Sequence, residues 1–359
     1  MTTASEFVDL YGPEIGKTLP IEAGRKILDS LLANYYSARP AILSEEVMHR
    51  DVLANLMRRQ SAFERFLTPW VNIRRRLSDA TVLDIGCGTG SSTAAFARVA
   101  KRVKGFEIAP GPVAVASDRL KALGLDNAQV ERVHPNETID RIKREFPDGV
   151  DVIALIAVLE HMTVAERADF LPKIWNYMRP GDILVVAELP NRLTYNDDHT
   201  AQIPFFHMLP VPLKVGYANR SPRKGFVDSV EALAKQGRDE LELGLARWGI
   251  GLSYHDFELG LGTDNLESIL LADGYEHATL NWWPPSVEER VLIEYFMDKP
   301  VMKPLGFCRS VLNFIFVKPP HQGAQAVTLR HNIDHLRKTF DGKNLPEKAL
   351  QRMLQYAAN

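Results

Sequence analysis

Apolar positions along this chain fall into two periods. Between residues 82 and 190 short apolar runs alternate with amphipathic stretches. The runs near 82–86, 103–107, 128–133, 150–156 and 182–188 predict strands. The stretches near 91–100, 111–123, 137–146 and 164–178 carry apolar residues at helical spacing. Such alternation predicts a parallel sheet with helices on both faces. The run Asp151–Leu159 has no polar interruption after its first residue, as expected of a central strand buried on both faces.

Outside that block the pattern changes. Ile21 to Ser37 repeats apolar residues at Ile27, Leu28, Leu31, Leu32 and Tyr35, and predicts a helix. Ser44 to Leu67 predicts a second, with Ser44 as N-cap and Glu45 and Glu46 in the first turn. Pro69 is expected to end it before a third, Trp70 to Leu77. Leu189 to Gly262 has five prolines and many aromatics and histidines; helix fits only Ser229 to Trp248. Asn265 to Ala272 predicts a helix, His277 to Trp283 a strand, Ser286 to Met297 a helix and Ser310 to Val317 a strand. Residues 321–359 read as a polar helical tail.

The first strand breaks into Gly86-Cys87-Gly88-Thr89-Gly90, and a helix follows at once. Alternate glycines let a ligand approach the backbone and meet free N–H groups at the helix start. A dinucleotide fingerprint would place its third glycine at 91, where the residue is Ser91. Asp84-Ile85-Gly86-Cys87-Gly88-Thr89-Gly90 instead resembles motif I of the class I S-adenosylmethionine (SAM) methyltransferases. Val103–Ile108, Asp151–His161 and Met178–Glu188 resemble that family's later motifs in the right order. The likeness is good over residues 80–190 and weak in the N-terminal helices.

The resemblance implies a doubly wound, mostly parallel seven-stranded Rossmann-like sheet with N-terminal helices and a lid insertion after the fifth strand. The expected divisions are an N-terminal helical cap (1–79), the SAM-binding core (80–189), a lid or substrate insertion (190–263), the end of the core sheet (264–318) and a C-terminal helical tail (319–359). It also implies SAM as cofactor and S-adenosylhomocysteine (SAH) as product. The backbone of Gly86, Cys87, Gly88 and Gly90 would lie against the cofactor. Asp84 would orient the turn or meet the cofactor's ammonium through water. Glu107 would take the ribose hydroxyls, Ile108 would face the adenine, and His134 stands where the family often has an Asp for the adenine amine. Cys87 reads as a packing residue.

Methyl transfer to a hydroxyl needs a positioned nucleophile and a base, and histidine is the natural base near neutral pH. His161, His199 and His255 are the candidates, with His207 a lesser one. Asp197, Asp198 and His199 read as a capped turn, as an Asp-oriented base or as a divalent-metal set; no resident metal is expected. The stretch from Pro190-Asn191-Arg192-Leu193 to His207-Met208-Leu209-Pro210 and the Tyr254-His255 segment resemble uncharacterised bacterial small-molecule and glycan methyltransferases, which implies a small-molecule or glycan acceptor, most simply at a hydroxyl. The rivals are an NAD(P)-dependent oxidoreductase and a non-catalytic binding protein that keeps the SAM fold.

Composition narrows this picture. Of 359 residues 45% are hydrophobic and 25% charged, as in a globular protein. A net charge of −2 argues against nucleic acid as partner. Two cysteines, Cys87 and Cys308, give no disulfide framework and suit the cytoplasm. The N-terminus has no signal-peptide pattern, and no apolar run is long enough for a membrane span. A homodimer through the tail is compatible with the sequence.

Overall fold

The computed structural model describes residues 18–37, 50–223, 225–275, 285–298 and 303–320. The chain divides into two compact units, 1–154 and 155–359, and the division falls inside the fourth strand. Seven strands form a mixed sheet: β1 (Thr81–Ile85), β2 (Arg102–Glu107), β3 (Ala128–Arg132), β4 (Val152–Ile156), β5 (Ile183–Pro190), β6 (Leu270–Asp273) and β7 (Val311–Val317). Their order is β3-β2-β1-β4-β5-β7-β6. β1 pairs with β2 and β2 with β3 in parallel. β7 runs antiparallel to both β5 and β6.

Among the described residues the first helix of the first unit is α1 (Ile21–Ser30). Residues 50–74 are then helical throughout. Two π-type segments, Ala54–Arg58 and Phe63–Leu67, interrupt the α-helical turns, which end in α2 (Thr68–Arg74). Pro69 therefore does not break this helix, contrary to the sequence expectation. It lies in the first turn of α2, and the widened turn before it accommodates the missing N–H. The Ser44 cap lies outside the described residues. Leu19, Ile27, Leu28, Leu31, Val52 and Leu56 pack with Val115 of α4 (Pro110–Ala122). Between them in sequence comes α3 (Ser91–Ala97), and α5 (Thr138–Glu145) completes the unit.

The first α-helix of the second unit is α6 (Val164–Tyr177), where Thr163 and Glu166 form a capping box. The proline-rich segment after β5 is far more ordered than its sequence suggests. It contains α7 (Val211–Tyr217), α8 (Phe226–Gln236), α9 (Arg238–Trp248) and α10 (Tyr254–Leu261). Gly237, at φ 127°, separates α8 from α9 where one helix was expected. Phe206, Phe226, Val230, Leu241 and Leu245 form the small core of this segment.

The helix expected over 265–272 is a short 3₁₀ turn, Leu266–Ile269, followed by β6. Leu270, Ala272 and Asp273 pair with Phe316, Ile315 and Phe314 of β7. The four-residue apolar run Ile269–Ala272 is ambiguous between helix and strand, and the β7 edge decides for strand. The strand expected at 277–283 lies outside the described residues, as does the tail, 321–359. The helix expected at 286–297 is α11 (Val287–Asp298).

Candidate functional site

In the first unit, β1 ends in a turn whose Gly86, Gly88 and Gly90 all have positive φ (73°, 54° and 81°). The Gly86 and Cys87 N–H groups donate to the Phe106 carbonyl at 2.7 and 3.0 Å, which ties the turn to β2. The glycines serve different ends. A Cβ at Gly88 would meet nothing within 4 Å, so that face of the turn is open. A Cβ at Gly90 would lie 2.8 Å from the Ala116 Cβ, so Gly90 permits close packing on α4. Cys87 is buried, and a Cβ at Gly105 would lie 2.9 Å from its sulfur. Burial, with the charges of Asp84 and Glu107, pushes the Cys87 thiol well above its usual range. It packs the turn rather than acting as a nucleophile.

Two carboxylates frame the turn. Asp84 is buried, and its Oδ2 accepts from Ser92 Oγ at 2.7 Å and Thr93 Oγ1 at 2.6 Å. Among the described residues its Oδ1 has no hydrogen-bond partner. Burial raises the Asp84 carboxyl to about 6; the two hydroxyls oppose this, and the Glu107 charge adds to it. Glu107, at the end of β2, accepts from the N–H of Gly88 at 2.9 Å, Ile108 at 2.7 Å and Ala109 at 3.0 Å. Ile108 beside it is 57% exposed. His134 is exposed after β3, where its Nδ1 accepts from the Asn136 N–H at 3.4 Å.

Sequence reasoning missed Arg119. It is fully buried on α4 and donates to the Thr89 carbonyl (2.9 Å), the Leu56 carbonyl (3.0 Å), Gln60 Oε1 (2.9 Å) and the Asn55 carbonyl. Burial lowers its guanidinium to about 10, still charged at neutral pH. The available signal was its place on a buried helical stripe, between Val115, Ala116 and Leu120.

In the second unit, hydrogen bonds order the segment after β5. Asn191 donates through Nδ2 to the carbonyls of Phe307 and Arg309 at 2.6 and 2.7 Å. Asp197, fully buried, accepts from the N–H of His199 (3.1 Å), Thr200 (2.7 Å) and Ala201 (2.7 Å). His207 Nε2 lies 3.3 Å from the same carboxylate. Arg223 donates to the carbonyls of His199, Thr200 and Trp248. The Asp197 carboxylate is thus engaged by main-chain N–H groups, and the imidazole facing it belongs to His207, not His199. Asp198 accepts from Asn196.

The structure instead gathers Glu160, His161 and His199, whose candidate ligand atoms all lie within 4.8 Å of one another. Glu160 is fully buried in the 3₁₀ turn Leu159–His161. His161 Nε2 is 3.8 Å from Glu160 Oε1, and its Nδ1 lies 3.1 Å from the Arg247 carbonyl. The His161 and His199 rings are 5.5 Å apart. Burial, then the charges of His161 and Arg223, lower the His199 imidazole to about 4. His255 is not in this group. It is exposed in the first turn of α10, stacked on Tyr254, with Nδ1 3.0 Å from Ser253 Oγ.

Residues 83–184 match the family model described as a methyltransferase domain. A probable S-adenosylmethionine-dependent methyltransferase of Mycolicibacterium smegmatis is 26% identical over 146 residues, 40% of this chain and 51% of that protein. The ubiquinone biosynthesis O-methyltransferase of Pseudomonas paraeruginosa is 31% identical over 116 residues, 31% of this chain and 45% of that protein. The chain thus spans about half the length of these curated relatives. Among solved structures, the SAM-bound amino pentose methyltransferase CalS10 from Micromonospora echinaspora is 22% identical, with a TM-score of 0.31 over 39% of this chain and 55% of that one. An O-methyltransferase from Bacillus cereus in complex with SAH is 13% identical, with a TM-score of 0.39 over 88% of this chain and the whole of that one. Among the described residues no helix is long and apolar enough to cross a membrane. Strand, glycine turn, helix and strand-end carboxylate fall within the matched residues, and over 83–184 the chain carries the core of a class I SAM-dependent methyltransferase.

Proposed function

We propose that the protein transfers a methyl group from SAM to a hydroxyl of a small-molecule or glycan acceptor in the cytoplasm. The observation that carries the cofactor half is the pair of carboxylates at the glycine turn. Glu107 sits where an acidic strand end takes ribose hydroxyls, and already points a carboxylate oxygen at the Gly88 N–H. The open face of Gly88 leaves room for a close ligand, and the unpartnered Asp84 Oδ1 offers a buried negative group to a cationic cofactor. These residues fit SAM: Gly86, Cys87 and Gly88 would hold its methionine and ribose end, Glu107 the ribose, and Ile108 the adenine. His134 or Asn136 is left for the adenine amine. SAM supplies a methyl group already activated on a sulfonium.

What remains for the chain is to position the acceptor and remove its proton. The Glu160–His161–His199 cluster suits that task. A carbonyl can only accept, so the contact with Arg247 places the His161 proton on Nδ1 and leaves Nε2 basic. Glu160 beside Nε2 stabilises the imidazolium that proton uptake creates. His161 is therefore the proposed base, with His199 as its neighbour. The aromatic and polar residues of 190–263 are the proposed acceptor-binding segment. Two relatives named for O-methylation and SAM dependence support this choice of reaction.

The test is calorimetric titration with SAH, followed by turnover of hydroxylated acceptors with labelled SAM. Micromolar SAH binding and loss of turnover in His161→Ala are expected. Binding of NADH in place of SAH would establish the oxidoreductase instead, and binding of neither would favour a scaffold.

A further inference from the structure

We propose that Glu160, His161 and His199 form a binding site for one divalent cation of the zinc, manganese or cobalt class. The site uses the cluster assigned above to proton removal, but its occupancy does not depend on methyl transfer. The donor set is one carboxylate and two imidazoles, with ligand atoms within 4.8 Å of one another. Ligands around a tetrahedral ion at about 2.1 Å lie about 3.4 Å apart, so side-chain shifts of about 1 Å close the set. Two imidazoles favour borderline cations over magnesium or calcium, which take oxygen ligands. Three protein ligands leave a coordination position for an oxygen from solvent or acceptor.

The support around these three residues distinguishes the site from a chance cluster. One short segment, Arg247–Ile250, touches each of them. The Arg247 carbonyl accepts from His161 Nδ1 and turns the Nε2 lone pair towards Glu160. Gly249, at φ 101°, lies so close to the His199 ring that a Cβ there would overlap it. The Ile250 N–H donates to the Glu160 carbonyl at 2.7 Å. The His199 main chain is held in addition by the Asp197 carboxylate and by Arg223. A backbone carbonyl on the second nitrogen of a ligating histidine is a common way to fix its tautomer and orientation. Arg167, buried nearby, supplies a charge opposite to that of Glu160. A cation and an acceptor's proton compete for the same lone pair on His161, so metal content becomes a control on the proposed reaction.

The test uses the full chain, stripped of metal with chelator and titrated at pH 7.5 with Co²⁺, read by visible absorption, and with Zn²⁺, read by calorimetry. One equivalent should bind at micromolar affinity or better. His161→Ala and His199→Ala should each weaken binding at least tenfold, and His255→Ala should leave it unchanged. SAH titration of the same variants shows whether they are folded and tests the methyltransferase reading separately. Absence of saturable binding in the wild type, or binding that survives both substitutions in SAH-competent protein, overturns the cation site. Loss of SAH binding in the wild type with cation binding intact would overturn the methyltransferase reading alone.

Discussion

Glu107 and Asp197 solve the same local problem in opposite settings. Each carboxylate accepts from three main-chain N–H groups. Glu107 does so at a strand end, half-buried, next to a glycine with open space on one face. Its partners are Gly88 of the glycine turn and the two residues that follow β2. Asp197 is sealed from solvent, shares its charge with His207 and ties down a segment with no regular structure of its own. The first arrangement can exchange a backbone partner for a ligand; the second has nothing to exchange. On the proposed function, similar hydrogen-bond counts mark a cofactor-binding group in one place and a structural group in the other, and burial separates them.

The largest expected effect comes from the sealed carboxylate. Asp197→Ala strands the buried N–H groups of Thr200 and Ala201 and the half-buried one of His199, and removes the partner of His207. It should cost about 3–5 kcal/mol of stability in denaturant unfolding. SAH affinity, measured under conditions where the variant is folded, should change less than about twofold. An unaltered unfolding midpoint would show that the caps around Asp197 contribute little.

Arg119 gives the first unit its own sealed group and so sharpens the contrast. Its four acceptors are neutral, and they join the glycine turn at Thr89 to Asn55, Leu56 and Gln60. Arg119→Met should destabilise by about 3 kcal/mol, since several buried carbonyls lose their donor. Unlike Asp197→Ala it should also weaken SAH binding, by about threefold or more, because the turn loses its tether. Full SAH affinity in a destabilised Arg119→Met protein would make this arginine purely structural.

The same contrast explains what could be read in the sequence. The glycine turn, Asp84 and Glu107 lie within 24 residues of one another, and the roles proposed for them rest on a strand, a turn and a helix in succession. The alternating strands and helices of the core were legible for the same reason. The four helices between β5 and β6 were not, because side-chain contacts between distant positions hold them. Asn191 reaches Phe307 and Arg309, and Arg223 caps three carbonyls. No periodicity reports such bonds. The Glu160–His161–His199 grouping is likewise non-local. The sequence showed the histidines and the polar stretch around Asp197, but not that His199 would stand by His161 while Asp197 faced His207. The segment of β6 read as helix because its few apolar residues acquire their identity only from β7.

Asp84 tests whether the cofactor side keeps an unfavourable charge for function. Its folded value of about 6 lies above its ordinary 3.8, so the folded protein holds the proton more tightly. Stability therefore falls as pH rises through 3.8 to 6, and the cost of the buried charge is complete at neutral pH. Asp84→Asn keeps an acceptor for the Ser92 and Thr93 hydroxyls but leaves its new amide N–H₂ without a partner. The net gain expected at pH 7.5 is about 1–2 kcal/mol, vanishing towards pH 4. SAH affinity should fall in the same variant. Stabilisation by the same amount at pH 4 and pH 7.5 would mean that the carboxylate is not titrating in this window.

Glu107→Ala should have the smallest effect on folding, and it tests the comparison most directly. The Gly88, Ile108 and Ala109 N–H groups sit near solvent and can bond to water once the carboxylate is gone, so the unfolding midpoint should move little. SAH affinity should fall at least tenfold, about 1.4 kcal/mol, the scale of a charge-assisted hydrogen bond to a ribose hydroxyl. Glu107→Gln should recover part of this, since an amide oxygen still accepts. The opposite pattern, a protein several kcal/mol less stable with SAH binding unchanged, would place Glu107 with Asp197 as a structural cap. The half-buried position and the open face at Gly88 would then no longer identify the carboxylate that meets the cofactor.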